Sequence, residues 1–119
     1  MIDAERKLTE QGLSRDEKSW RRERARHIKS SLEVYLKNAN ITGLDVKKYI
    51  DKVSADNVPI VGLSISGGGT QSGIGGLGVW QALDSRYPRA VDAGTGGLAQ
   101  VLSYVTGLSG GGAVTIALL

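Results

Sequence analysis

A chain of 119 residues, 40% hydrophobic and 23% charged, has the size and balance of one globular domain. It holds no cysteine and one histidine, His27, which excludes a disulfide framework, a cysteine nucleophile and a thiolate or multi-histidine metal site. The net charge of +3 arises before Pro59, where 13 Lys or Arg meet 10 Asp or Glu; after it stand only Arg86, Arg89, Asp84 and Asp92, and no basic groove interleaved with aromatics suggests nucleic acid.

The opening "MIDAERKLTEQG" carries charges where a secretory signal needs an apolar core, and no apolar run approaches the ~20 residues of a bilayer span. Ser14 followed by Glu17 fits a capping box and predicts a long helix. Trp20, Ile28, Leu32, Tyr35 and Leu36 supply its apolar stripe, and "RRERARHIK" supplies a solvated face rather than a nucleic-acid or lipid contact, because Glu17, Glu23 and Glu33 are interleaved. Asn38, Asn40 and Gly43 are turn and C-cap residues that end it. Residues 45–53, "DVKKYIDKV", predict a short second helix, and "SADN" a loop.

Composition then changes: 15 of the 17 glycines follow Pro59, so the backbone there turns tightly or approaches something closely. Residues 58–65, "VPIVGLSI", read as a short buried strand. A glycine-rich turn leads from it into a helix ending near Arg86, residues 87–97 read as a loop, and an apolar segment runs into "GLSGG" at 107–111.

Three readings of the glycines compete. A Walker phosphate loop needs a Gly-Lys pair, which the chain lacks. A dinucleotide fingerprint is present at Gly73, Gly75 and Gly78, but "SGGGTQS" separates it from the strand that should feed it. Third, Gly107, Ser109 and Gly111 satisfy G-x-S-x-G, in which a strained strand-to-helix turn exposes a serine hydroxyl. Residues 66–69, "SGGG", follow a predicted strand and offer consecutive N–H groups without side chains, as an oxyanion hole requires. Either cluster alone reads equally well as a structural turn; the pair favours the elbow. No histidine follows Ser109, so a Ser-His-Asp triad in the elbow's usual order is excluded, and Asp84 and Asp92 suit a helix end and a loop better than catalysis.

"VGLSISGGGTQSGIGGLGVWQALDSRYP" and "GGLAQVLSYVTGLSGG" closely resemble the fungal phospholipase B (lysophospholipase) family, whose catalytic domain is related to the cytosolic phospholipase A2 enzymes. The resemblance runs from about Leu13 to the end of the chain. It implies an α/β fold: a helical lead-in over residues 1–57, then over 58–119 the N-terminal part of a patatin-like, cytosolic phospholipase A2-like domain. It further implies that Ser109 is the nucleophile and that Gly68 and Gly69, with Gly110 as a further donor, hold the oxyanion. The family's Ser-Asp dyad explains the absent histidine, and the implied reaction hydrolyses a fatty-acyl ester of a lysophospholipid or phospholipid through an acyl-serine, without metal or cofactor and in transient contact with a membrane or micelle surface.

Three departures shape the expectation. Gln71 stands where the family's S-G-G-G-x-R has an arginine that assists the substrate phosphate, and glutamine supplies no charge. The chain ends ten residues past Ser109, whereas family members continue to the segment with the catalytic aspartate, so little turnover is expected of these 119 residues alone. Family members are generally secreted or at the cell surface; no signal peptide is visible, which points to the cytoplasm if the N-terminus is genuine, while Asn40-Ile41-Thr42 is a glycosylation sequon that agrees with secretion. Two other functions remain: a non-catalytic lipid- or protein-binding remnant, and a nucleotide-binding protein using Gly73 to Gly78.

Overall fold

The computed structural model describes residues 12–118. The segment read as lacking a secretory signal lies outside the described residues, apart from Gly12.

Helix α1 (Arg15–Ala39) begins where its cap predicts: the Ser14 hydroxyl accepts from the Glu17 N–H at 3.1 Å. The reciprocal half of the expected capping box does not form. The Glu17 carboxylate instead accepts from the Tyr104 hydroxyl at 2.8 Å, a partner 87 residues away. Ala25, Ile28, Leu32 and Leu36 are the buried stripe, and Asn40 ends the helix in the left-handed conformation at φ 46°. Trp20, assigned to that stripe from sequence, is 43% exposed and leans on the Tyr104 ring at a centroid distance of 5.6 Å. The reason is helical phase: the centre of the stripe set by Ala25, Ile28, Leu32 and Leu36 runs back through Arg21 and Lys18, and Trp20, eight residues before Ile28, lies well to one side of it. Helix α2 (Val46–Asp51) is slightly shorter than the expected 45–53, with the Asp45 carboxylate accepting from the Lys48 N–H at 3.0 Å.

Strand β1 (Gly62–Ile65), helix α3 (Gly69–Leu83), helices α4 (Pro88–Asp92) and α5 (Leu98–Val101), strand β2 (Tyr104–Gly107) and helix α6 (Gly110–Leu118) follow. The strands pair in parallel, Gly62 opposite Tyr104 through Ile65 opposite Gly107. A mixed helix and strand chain with a parallel pair agrees with the α/β expectation at that level. Two expectations are corrected. β1 covers only the second half of 58–65, and Ile65 alone among its residues is buried, because the sheet of the described residues has two strands and each keeps an open edge. Residues 87–97 are not all loop: Pro88 opens α4, since its fixed φ and missing N–H suit the first helical position.

The main core joins the two halves of the sequence. Ile28, Leu32 and Leu36 of α1 meet Ile50 of α2 and Val101 of α5. The Arg24 guanidinium ties this packing down by donating to the carbonyls of Leu102 at 2.9 Å and Gln100 at 3.3 Å. In the second half α3 lies against α6, and glycines set how close it comes. A Cβ on Gly76 would meet Ile65 Cγ2 at 2.9 Å, and one on Gly73 would touch the Gly110 carbonyl at 3.6 Å. α3 stops at Asp84, whose fully buried carboxylate accepts from Arg86 Nε and from Gln100 Nε2 at 2.9 Å. No helix of the described residues is long and apolar enough to cross a membrane.

Candidate active site

Because Ile65 stands opposite Gly107, the two strands end at the same level and the chains leaving them, residues 66–68 and 108–109, emerge side by side. Each then enters a helix, so the N-termini of α3 and α6 converge beside the same edge of the sheet. The Leu108 N–H donates to the Ile65 carbonyl at 3.1 Å and the Gly111 N–H to the Leu108 carbonyl at 3.0 Å, closing the second turn tightly.

Ser109 sits at the apex of that turn, exposed, with φ 53°. Left-handed backbone at a non-glycine residue costs about 1–2 kcal/mol and persists only where the surroundings impose it. Here they do. A Cβ on Gly107 would overlap the Gly111 carbonyl and the Thr115 hydroxyl, and one on Gly111 would overlap the Ile65 and Ser66 carbonyls. The G-x-S-x-G glycines are therefore required by crowding, as a tight strand-to-helix turn demands.

The first turn is brought against the second. A Cβ on Gly110 would overlap the Gly69 carbonyl, and one on Gly67 would lie 3.2 Å from the Ser109 Cβ. Gly68, at φ 148°, and Gly69, at φ 65°, adopt backbone that side chains disfavour. Gly69 and Gly110 are the first residues of their helices, so their N–H groups have no intrahelical acceptor, and among the described residues neither donates to another backbone carbonyl. Both helix N-termini carry partial positive charge toward the serine, as a developing oxyanion needs.

Sequence reasoning missed two contributors. Gly67 gives Ser109 room, and the Ser72 hydroxyl donates to the Ser66 carbonyl, pinning the first turn to the first turn of α3. Ser72 could have been found by its spacing, six residues from Ser66 across the glycines, whereas the role of Gly67 depends on a contact between remote segments. Gln71 is exposed and lines a groove of about 500 Å³ with Ser66, Gly67, Gly68 and Ser72. On the other side of α3, an apolar groove of about 440 Å³ runs from Gly69 and Gly110 along Ile74, Leu77 and Val114.

The remaining candidates do not join the site. Asp84 caps the far end of the 15-residue α3, about 22 Å from its N-terminus, and Asp92 closes the short helix α4 rather than lying in a loop. Hydrogen bonding to Arg86, reinforced by Gln100 and opposed by burial, lowers the Asp84 pKa to about 2. Asn40 is exposed at the C-terminus of α1. Gly73, Gly75 and Gly78 all lie inside α3, not in the turn that feeds it, so the dinucleotide reading fails on geometry. Among the described residues no cluster of His, Cys, Asp or Glu could hold a metal ion.

Comparison with known proteins places these turns. Residues 61–118 match the family described as the lysophospholipase catalytic domain. Lysophospholipase 1 of Aspergillus fumigatus is 37% identical over 102 residues, which are 83% of this chain and 16% of that protein. Lysophospholipase 3 of the same fungus is 40% identical over 103 residues, 84% of this chain and 16% of the relative, and Lysophospholipase 2 of Saccharomyces cerevisiae is 36% identical over 106 residues, 87% and 15%. The chain thus spans about a sixth of the length of these curated relatives. No solved structure matches it. With its serine elbow and glycine turn inside the matched segment, the chain belongs to the fungal lysophospholipase (phospholipase B) family.

Proposed function

We propose that this chain contributes the nucleophile and the oxyanion hole of a lysophospholipase or phospholipase B, a carboxylic ester hydrolase acting on fatty-acyl esters of glycerophospholipids. The observation that carries this reading is Ser109, left-handed at the apex between β2 and α6 and pressed against the Gly67–Gly69 turn. The Ser109 hydroxyl attacks the ester carbonyl, its proton passes to a base, and the carbonyl oxygen becomes an oxyanion held by the N–H groups of Gly68, Gly69 and Gly110. Collapse of that intermediate expels the lysolipid or glycerophospho alcohol and leaves an acyl-serine. Water then releases the fatty acid and restores the hydroxyl. The apolar groove beside Gly69 and Gly110 suits the acyl chain, and Gln71 hydrogen-bonds the phosphate where the family pattern has a charge.

The base is not among the described residues near Ser109, since Asp84 is held by Arg86 at the far end of α3. A carboxylate from another segment completes the dyad, and the 119 residues alone turn over little substrate. Residues 1–57 serve as the lead-in and 58–119 as part of the catalytic domain, working at a membrane or micelle surface, secreted or at the cell surface with glycan on Asn40. The test is a chimera in which this chain replaces the matching segment of Lysophospholipase 1 of Aspergillus fumigatus. Fatty-acid release from lysophosphatidylcholine that disappears with Ser109→Ala supports the proposal; release that survives this change refutes it.

Gln71 also favours a second reading, a lipid- or protein-binding remnant without catalysis. It requires the chimera to bind lysophosphatidylcholine micelles without releasing fatty acid, and Gln71→Arg to leave release at zero.

A further inference from the structure

The stripe by which α1 packs onto the rest of the chain changes character along its length. Leu36, Leu32, Ile28 and Ala25 are buried, but the same stripe continued toward the N-terminus presents Arg21 and Lys18. There the helix meets the body through Glu17 and Trp20, both against Tyr104. It leaves a pocket of about 180 Å³ with an apolar floor, Trp20, Ile28 and Val58 among its lining, and a polar rim of Lys18, Arg21, Arg22, Asp56 and Ser103. The volume is below the ~300 Å³ of a site for an organic ligand and above that of a single water, near 30 Å³, so it suits a small anion.

The charge balance says which kind. Three cations meet one carboxylate, and the ion pairs of the described residues, Lys37 with Glu33 and Arg86 with Asp84, involve none of them. Arg21 is half-buried and Arg22 exposed, and each guanidinium is a planar fork suited to paired oxygens. The pocket is preformed. Arg24, one turn on, fixes α1 to the carbonyls of Gln100 and Leu102 beside Ser103, and the Ser103 N–H donates to the Val61 carbonyl at 2.7 Å.

The geometry points to a phosphate-binding site in this pocket, taking the phosphate of a lipid headgroup or a free phosphate ion on Arg21, Arg22, Lys18 and the Ser103 hydroxyl. It is separate from the site of ester cleavage. Val58 and Ser103 precede the strands whereas Ser109 and the glycine turn follow them, and the four residues of β2 alone put about 13 Å between the two ends. One lysophospholipid cannot place its ester at Ser109 and its own nearby phosphate here, so the pocket binds a second molecule.

The experiment is isothermal titration of the 119-residue chain with inorganic phosphate at fixed ionic strength, paired with cosedimentation on phosphatidylcholine vesicles with and without phosphatidic acid. Saturable binding is expected, weakened roughly tenfold by Arg21→Gln with Arg22→Gln and tightened several-fold by Asp56→Asn. The Asp56 variant keeps the test decisive should the arginine variant unfold. Phosphate binding without vesicle binding assigns the site to the free ion; vesicle binding that needs both phosphatidic acid and the arginines assigns it to a headgroup. Absence of both, or binding indifferent to all three substitutions, overturns the inference.

Discussion

A Cβ on Gly67 would stand 3.2 Å from the Ser109 Cβ, so two residues 42 apart in sequence share one small space at the mouth of the candidate site. The serine is thus positioned from both sides: by its own elbow and by the glycine turn of the other strand. Gly67→Ala is expected to displace Ser109 by a few tenths of an ångström and to slow its acylation in the chimera about tenfold, since misplacement of about 1 Å can cost ~100-fold. Burst kinetics with an activated acyl ester measure this, with an unfolding free energy from urea titration unchanged to within about 0.5 kcal/mol.

The left-handed backbone of Ser109 opposes stability. Ser109→Gly removes that strain while deleting the hydroxyl, and is expected to raise the unfolding free energy by about 1 kcal/mol while abolishing modification by serine-directed probes. Urea unfolding of the two forms gives the sign directly.

Glycines inside α3 divide by what surrounds them. Nothing lies within 4 Å of a Cβ placed on Gly78, so Gly78→Ala should stabilise by about 0.5–1 kcal/mol through helix propensity. Gly76 is packed against Ile65, and Gly76→Ala should destabilise by about 1–3 kcal/mol through overpacking. Thermal unfolding of the two variants distinguishes these roles, which the sequence "GIGGLG" does not.

Asp84 links the end of α3 to Arg86 and Gln100, and these hydrogen bonds bring its pKa from the ordinary 3.8 to about 2. The sign follows from linkage: the carboxylate's contribution is fully present above pH 4 and fades as pH falls toward 2, where the folded form also takes up the proton. Asp84→Asn should cost about 2 kcal/mol near neutral pH, because Arg86 and Gln100 lose their charged acceptor, and should flatten the loss of stability between pH 4 and 2. Urea midpoints across that range check both.

What the sequence made legible is local. Ser14 capping α1, the Ile28–Leu36 stripe, the turn at Asn40, and the strand, turn and helix around Ser109 are written within a few residues of where they act. What escaped depends on remote neighbours. Glu17 was assigned to its own helix N-terminus but bonds Tyr104, and Trp20 leaves the buried stripe to lean on the same residue, because β2 begins beside α1. Residues 87–97 read as a loop, yet Pro88 starts a helix there, too short for its apolar spacing to show. At the site, G-x-S-x-G was visible as a spacing. The crowding that excludes a side chain at Gly107 and Gly111 was not, because it comes from segments remote in sequence as well as from the helix that follows.

The most direct measurement is mass-spectrometric mapping of a fluorophosphonate adduct on the chimera with Lysophospholipase 1 of Aspergillus fumigatus. Three serines, Ser66, Ser72 and Ser109, lie in or beside the two turns, and only Ser109 has the elbow geometry. The expected result is a single adduct on Ser109 that disappears in Ser109→Ala, with much slower labelling of the 119-residue chain by itself. An adduct on Ser66 or Ser72, or labelling unchanged by Ser109→Ala, would contradict the assignment of Ser109 as nucleophile.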